Sequence, residues 1–102
     1  DRTYIICSNS IELCKEQKVF QGDNFIFNEV VPDDIYKGHF DLCLISKCQD
    51  FIISNSTFGW WGAWLGSGEG KRVIIPTPWY GPGLSHISTD DLYPDEWEKI
   101  EW

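Results

Sequence analysis

The sequence predicts an α/β fold, in which a small parallel β-sheet carries helices on its faces. Short apolar runs rich in β-branched residues alternate with segments of helical length, in the order strand, helix, strand, helix, strand, helix, strand. The apolar runs are continuous rather than alternating with polar residues, which is typical of strands covered on both faces. Parallel strands joined by helices require right-handed crossovers, so we expect a Rossmann-like sheet.

Four segments are predicted to be strands because they are rich in branched and aromatic side chains. In chain order they are residues 3–8 (TYIICS), 24–28 (NFIFN), 51–54 (FIIS) and 73–75 (VII). The third and fourth are short and wholly apolar apart from the last serine of FIIS, which suits strands covered on both faces.

Four helices are predicted between and after these strands, from capping residues and apolar periodicity. They span residues 11–18, 41–49, 57–65 and 94–100. Asn9 or Ser10 is the expected N-cap of the first, with Glu12 placed to complete a capping box. Asp41 is expected to open the second and Gly66 to end the third, and residues 31–38 form a turn-rich connection.

The composition argues against two classes of protein. Sixteen acidic residues against eight basic ones give a formal charge of −8, whereas general DNA or RNA binding requires a positive face. No apolar run approaches the roughly 20 residues of a membrane-spanning helix. A local site for one phosphorylated small molecule remains compatible with the charge, because such a site needs no net positive charge.

The four cysteines, Cys7, Cys14, Cys43 and Cys48, allow three disulfide pairings in principle. Each lies in an apolar or periodic segment, where a reduced cysteine packs as a small hydrophobic residue. Their spacing matches no common zinc-binding pattern. We therefore predict reduced cysteines, no bound metal and a cytoplasmic location.

Two strand ends are unusually polar. Ser8, Asn9 and Ser10 follow the first strand, and residues 54–57 (SNST) follow the third. At the carboxyl ends of parallel strands, the free N–H groups and the dipole of the next helix attract anions. Simple helix capping is the better explanation for the first cluster. The second contains more polar residues than one cap needs, so we predict a phosphate or diphosphate site there.

The helix predicted at residues 57–65 carries an unusual stripe of small residues: Gly59, Gly62, Ala63 and Gly66. Each interior glycine costs about 0.5–1 kcal/mol relative to alanine, so the stripe predicts a close approach of the helix to the sheet or of a ligand to its backbone. The large side chains of this segment are predicted to be mostly core: Phe58, Trp60, Trp61, Trp64 and Leu65. Alternatively, Trp60 and Trp64 form a packing surface for a neighbouring domain.

The run DFIISNSTFGWWGAWL at residues 50–65 resembles the C-terminal signature of the α-1,2-fucosyltransferases of glycosyltransferase family 11. The segments YIICSNSIELCKE, DLCLISKC, KRVIIPTPWY and DLYPDEWEKI are similar to the same family, so the resemblance runs from about residue 3 to residue 100. It implies that residues 1–102 form one domain, the donor-binding C-terminal portion of a longer, two-domain GT-B enzyme.

The resemblance also implies a reaction, in which L-fucose passes from GDP-fucose to the 2-hydroxyl of a galactoside acceptor with inversion. No metal or other cofactor is expected. The motif expected to face the donor diphosphate is matched by Asn55, Ser56, Thr57 and Phe58. The region expected near the nucleoside is matched by Ser8, Asn9 and Ser10, where relatives usually have Ser-Asp-Asp. Gly59 stands where the family usually has serine.

The basic His-x-Arg-Arg-x-Asp motif of the family is absent from this sequence. No catalytic residue is therefore assigned, and we expect the chain to be inactive without the N-terminal acceptor domain. The parent enzyme is expected in the bacterial cytoplasm, with possible peripheral membrane association, rather than in the Golgi. Two other functions fit the sequence: a standalone small-ligand-binding or regulatory α/β module, and a carbohydrate-binding protein that uses exposed tryptophans.

Overall fold

The computed structural model describes residues 2–29 and 37–102, so most of the predicted connection at residues 31–38 lies outside the described residues. The chain divides into two compact units, residues 1–41 and residues 42–102. Within the described ranges, all strand pairs are parallel and helices separate successive strands. This arrangement confirms the predicted α/β class and its Rossmann-like pattern.

The first unit contains one pair of strands. Its elements are β1 (Tyr4–Ile6), α1 (Ile11–Lys15), a 3-10 helix (Lys18–Phe20) and β2 (Phe25–Phe27). Tyr4 lies opposite Phe25 in the register, and their rings stack with centroids 5.3 Å apart. Helix α1 is shorter than the predicted span of 11–18, because the chain becomes extended at Gln17 before the 3-10 helix begins.

Helix α2 (Lys37–Ser46) begins before Asp41, so the prediction that Asp41 opens this helix is wrong. Asp41 is buried inside the helix and accepts a hydrogen bond from Asn28 Nδ2 at 2.5 Å. A buried carboxylate requires such a partner. The partner comes from the residue that follows β2, which local sequence patterns do not reveal.

The second unit contains a three-stranded parallel sheet. Its elements are β3 (Phe51–Ile52), α3 (Thr57–Leu65), β4 (Val73–Thr77), a 3-10 helix (Pro82–Leu84) and β5 (Glu98–Glu101). The strand order is β3-β4-β5, with Phe51 opposite Val73 and Ile74 opposite Glu98. The core consists of Phe51, Ala63, Val73, Ile75, Trp79 and Trp97.

The helix predicted at residues 94–100 is wrong, because the chain forms a turn and then strand β5. The Trp97 N–H donates to the Pro94 carbonyl at 3.0 Å, and pairing with β4 begins at the next residue. Trp97 is buried while Ile100 is exposed, so their three-residue spacing does not mark one helix face. Arg72 also favours the strand, since its Nε and Nη2 donate to the two carboxylate oxygens of Glu98 at 3.0 and 2.9 Å.

The stripe of small residues on α3 packs closely against neighbouring elements of the fold, which is the first of the two explanations predicted from the sequence. A Cβ atom added at Gly62 would lie 2.4 Å from Ile45 Cγ2, and one added at Gly66 would lie 2.5 Å from Phe51 Cζ. The backbone of α3 therefore packs directly against the side chains of Ile45 and Phe51, with no α3 side chain between them. This close contact offsets the conformational cost of the glycines.

The large side chains of α3 point away from that contact. The prediction that most of them belong to the core is wrong for four residues that the structure leaves exposed: Phe58, Trp61, Trp64 and Leu65. Trp60 is half-buried and packs against the core. The physical reason is that the small-residue face occupies the side of the helix nearest the sheet.

Helix α3 ends at Leu65, as predicted, and a long-range contact caps it. The Lys71 ammonium donates to the carbonyls of Ala63 and Gly66 at 2.7 and 2.8 Å, which places a positive charge at the negative end of the helix dipole. None of the four cysteines forms a disulfide bond, in agreement with the predicted reduced state.

Candidate functional site

The polar segment at residues 54–57 lies where β3 leads into α3, at the carboxyl end of the sheet. The Ile53 N–H donates to the Ile74 carbonyl at 3.0 Å, which extends the pairing with β4 by one bond. The Ser56 N–H then donates to the Ser54 carbonyl at 2.8 Å and reverses the chain. This turn directs the first amides of α3 toward the carboxyl edge, where ligands bind in parallel sheets.

Ser56 is the N-cap of α3. Its backbone is extended, and its Oγ accepts a hydrogen bond from the Phe58 N–H at 3.2 Å. The Trp60 N–H closes the first helical turn on the Ser56 carbonyl at 3.1 Å. Helical geometry leaves the amides of Thr57 and Gly59 without a carbonyl of their own helix. They lie at the positive end of the helix dipole, which favours an anion there.

Asn55 connects this turn to the loop that follows β4. Its Nδ2 donates to the Trp79 carbonyl at 3.3 Å, although the residue is otherwise exposed. Trp102, after β5, holds the same loop from the other side, because its N–H and Nε1 donate to the carbonyls of Thr77 and Pro78 at 3.2 and 2.6 Å. The carboxyl edge is thus held by hydrogen bonds from both outer strands to the loop of the central one.

The sequence patterns do not reveal the contact made by the Trp79 carbonyl or the position of Trp102 at this edge. Trp79 contributes a backbone carbonyl, and any residue type carries one, so no sequence signal marks it. Trp102 follows a strand that the sequence patterns predict as a helix. The structure places the start of the loop after β4 beside the polar turn, where the Trp79 carbonyl accepts from Asn55.

The predicted cluster of Ser8, Asn9 and Ser10 lies in the first unit, between β1 and α1. Ser10 is the N-cap of α1, as predicted, although its side chain makes no capping hydrogen bond. Instead, Ser8 Oγ accepts from the Ser10 N–H at 2.9 Å. The capping box is also absent from this described segment, since Glu12 pairs with Lys15 at 3.4 Å. Asn9 and Ser10 are exposed.

The two basic residues beside β4 lie away from the polar turn. Lys71 and Arg72 precede the strand, so they belong to the amino edge of the sheet. Lys71 is hydrogen-bonded to the end of α3, and Arg72 is paired with Glu98. Neither residue is therefore placed to neutralise an anion bound at the start of α3.

Two features of residues 2–29 and 37–102 bear on function. No group of three or more His, Cys, Asp or Glu side chains is arranged there to hold a metal ion. None of the helices described is long and apolar enough to cross a membrane.

Comparison with known proteins gives a consistent family assignment. The family model described as glycosyl transferase family 11 matches residues 1–101. An α-1,2-colitosyltransferase of Escherichia coli is 34% identical over 101 residues, which are 96% of this chain and 32% of that protein. The O-antigen biosynthesis glycosyltransferase WbnK of Escherichia coli is 31% identical over 91 residues, covering 88% of this chain and 29% of that protein.

A human relative is also similar. Galactoside α-(1,2)-fucosyltransferase 1 of Homo sapiens is 31% identical over 67 residues, or 65% of this chain and 18% of that protein. The chain therefore spans about a third of the length of the two bacterial relatives and about a fifth of the human one. No solved structure gives a significant match.

Proposed function

Because this chain belongs to glycosyl transferase family 11, we propose that it is the donor-binding portion of a galactoside α-1,2-fucosyltransferase. The proposed reaction moves L-fucose from GDP-fucose to the 2-hydroxyl of a galactoside, with inversion and without a metal or other cofactor. The names of two relatives, a colitosyltransferase and a fucosyltransferase, share the α-1,2 linkage and support it for this chain. Their sugars differ, so both fucose and colitose are candidates for the group transferred.

One observation carries the proposed role of this chain. The turn at residues 54–57 brings the amides of Thr57 and Gly59 to the carboxyl edge of the sheet, beside the exposed Thr57 hydroxyl. These donors and the helix dipole suit the paired phosphoryl groups of a sugar nucleotide. Ser56 holds the helix start in place, and Asn55 fixes the turn against the Trp79 carbonyl. Phe58, the residue after Thr57 in α3, is also exposed.

The charges of the chain support the proposal that it is inactive alone. Loss of the sugar places the full charge of the diphosphate on the leaving group, and cationic side chains usually stabilise that charge in the transition state. A helix N-terminus contributes only about 0.3–1 kcal/mol toward an anion at an exposed site. Lys71 and Arg72 lie at the opposite edge and are already engaged. We propose that the missing cations and the acceptor contacts belong to an N-terminal domain.

The location is proposed from the relatives. The two bacterial ones come from Escherichia coli, and one is named for O-antigen biosynthesis. We propose a bacterial parent enzyme that works in the cytoplasm, with a peripheral association with the membrane.

A pair of substitutions at Ser56 tests the diphosphate site. Ser56→Asp keeps an effective N-cap but places a negative charge beside the bound phosphates. Titration of the chain with GDP, followed by ¹⁵N NMR, is expected to shift the amides of Thr57 and Gly59 in the wild type. The S56D variant is expected to bind GDP at least tenfold more weakly while unfolding at the same temperature or higher.

Ser56→Ala is the matched control, because it removes the capping oxygen without adding charge. It is expected to lower stability by about 1 kcal/mol and to weaken GDP binding much less than S56D does. If S56D binds GDP as the wild type does, or if the shifted amides lie elsewhere, the proposed diphosphate site is wrong. Tight, sub-micromolar GDP binding would instead favour a self-contained binding module.

A transfer assay tests the proposed inactivity. The isolated chain is incubated with lactose and either GDP-fucose or GDP-colitose, and products are followed by mass spectrometry. No product is expected from either donor. Robust turnover would show that the cations and acceptor contacts are already present in this chain.

A further inference from the structure

A second concave surface lies at the amino edge of the sheet in the second unit, opposite the polar turn. It is an open groove of about 420 Å³, lined by Trp64, Gly68, Gly70, Lys71, Glu96 and Trp97. These residues come from the end of α3 and from the segments that lead into β4 and β5. Its volume falls within the usual range of small-molecule sites. We call it the amino-edge groove.

Trp64 forms one wall of the groove and is positioned by contacts between aromatic rings. Its ring stacks on Trp60 with a centroid distance of 5.3 Å and an interplanar angle of 12°. Trp60 is itself fixed, because its Nε1 donates to the Leu92 carbonyl at 2.8 Å and its ring packs against buried Trp97. Trp64 nevertheless remains 51% exposed. It therefore offers a preorganised, flat apolar surface to a ligand.

The other lining groups of the groove are polar. Glu96 is exposed, and its carboxylate makes no hydrogen bond with any residue in the described ranges. Gly68 and Gly70 contribute backbone without side chains. The Lys71 ammonium is engaged by the carbonyls at the end of α3, so its donors are not open to an anion. The positive charge of Lys71 and the negative charge of Glu96 give the lining no net charge, which suits a neutral ligand, and the Glu96 carboxylate is the side-chain group open to hydrogen bonding.

We propose that the amino-edge groove binds a neutral pyranose sugar. A pyranose has an apolar C–H face that packs on an indole ring and a rim of hydroxyls that donate to a carboxylate. Trp64 is the stacking surface and Glu96 is the acceptor for the hydroxyls. This site is separate from the diphosphate turn and does not depend on the function proposed above.

Saturation-transfer difference NMR with methyl β-D-galactopyranoside and methyl β-D-glucopyranoside tests the proposal on the intact chain. Binding with a dissociation constant of about 1 mM is expected for a ligand of this size in an open groove. Glucuronic acid is expected to bind at least threefold more weakly than the neutral sugars, because its carboxylate would lie beside Glu96 while the Lys71 donors are already engaged. GDP is expected not to compete with the sugars for the groove, so the outcome of this test is independent of the proposed diphosphate site.

Two tryptophans of α3 provide a matched pair of variants. Trp61 is 50% exposed and Trp64 is 51% exposed, but only Trp64 lines the groove. Trp64→Ala is expected to weaken sugar binding by about tenfold, because it removes the apolar surface against which the pyranose packs. Trp61→Ala is expected to leave binding within twofold of the wild type.

Glu96→Gln is expected to weaken binding of the neutral sugars threefold or more without altering the fold, since the residue is exposed. If Trp64→Ala unfolds the chain, Glu96→Gln still tests whether the groove binds the sugar. The absence of saturation transfer at 20 mM sugar, or equal losses in W61A and W64A, would overturn the proposal. So would unchanged binding in both W64A and E96Q.

Discussion

Gly62→Ala is expected to destabilise the second unit, although alanine is the better helix former. The added Cβ would lie 2.4 Å from Ile45 Cγ2 and 3.1 Å from Ile45 Cβ. Rotating the Ile45 side chain moves Cγ2 but not Cβ, so the helices themselves must separate. Overpacking of this kind costs about 1–3 kcal/mol, against a gain of up to about 1 kcal/mol in helix propensity. We expect a net loss of about 1–2 kcal/mol.

Two further variants isolate the clash. Gly59→Ala makes the same chemical change on the same helix face, but its Cβ would lie 3.3 Å from Ile53 Cβ, a contact that a small shift relieves. Its stability is expected to stay within about 0.5 kcal/mol of the wild type, because the gain in propensity offsets the contact. In an Ile45→Ala background, which removes Cγ2 but keeps the 3.1 Å contact with Cβ, Gly62→Ala is expected to cost clearly less than it does in the wild type.

Urea denaturation followed by far-UV circular dichroism measures these differences. A loss of 1–2 kcal/mol corresponds to a fall in melting temperature of about 5–10 °C for a domain of this size. If Gly62→Ala raises the melting temperature, or loses as much stability in the Ile45→Ala background as in the wild type, the close approach of α3 does not explain its glycines.

Three other predictions follow from contacts of the second unit. Lys71→Met keeps the length of the side chain but removes the ammonium from the end of α3, and is expected to cost about 1–2 kcal/mol in urea denaturation. Hydrogen bonds from the Arg72 guanidinium lower the pKa of Glu98 in the folded chain. The ion pair therefore stabilises the fold above the ordinary glutamate pKa of about 4.3, and this stabilisation is lost as the pH falls below that value. The difference in melting temperature between wild type and Glu98→Gln is expected to shrink between pH 6 and pH 3. Burial raises the pKa of the Cys48 thiol, so iodoacetamide is expected to modify exposed Cys43 first, as peptide mass mapping would show; faster modification of Cys48 would contradict this.

The strands and the third helix were predictable because their signals are local. The branched, apolar runs at β1 to β4 and the Ser56 cap with the Gly66 stop of α3 act through neighbours in the chain. The family signature around Asn55 is likewise a contiguous run. The glycine stripe predicted close packing because only a lack of side chains allows it. Such features need no knowledge of which distant segment lies opposite.

The tertiary structure alone decided the features that depend on distant partners. Glu98–Glu101 is a strand because β4 offers it an unpaired edge and Arg72 holds Glu98, and neither fact is visible in the local periodicity of residues 94–100. Asp41 lies inside a helix because Asn28 satisfies its carboxylate. The turn at Asn55 is held by a hydrogen bond to the backbone carbonyl of Trp79. The Trp61 and Trp64 rings are exposed because the small-residue face of α3 is the one that packs against the sheet. In each case the free energy comes from a long-range contact, which a pattern of neighbouring residues does not encode.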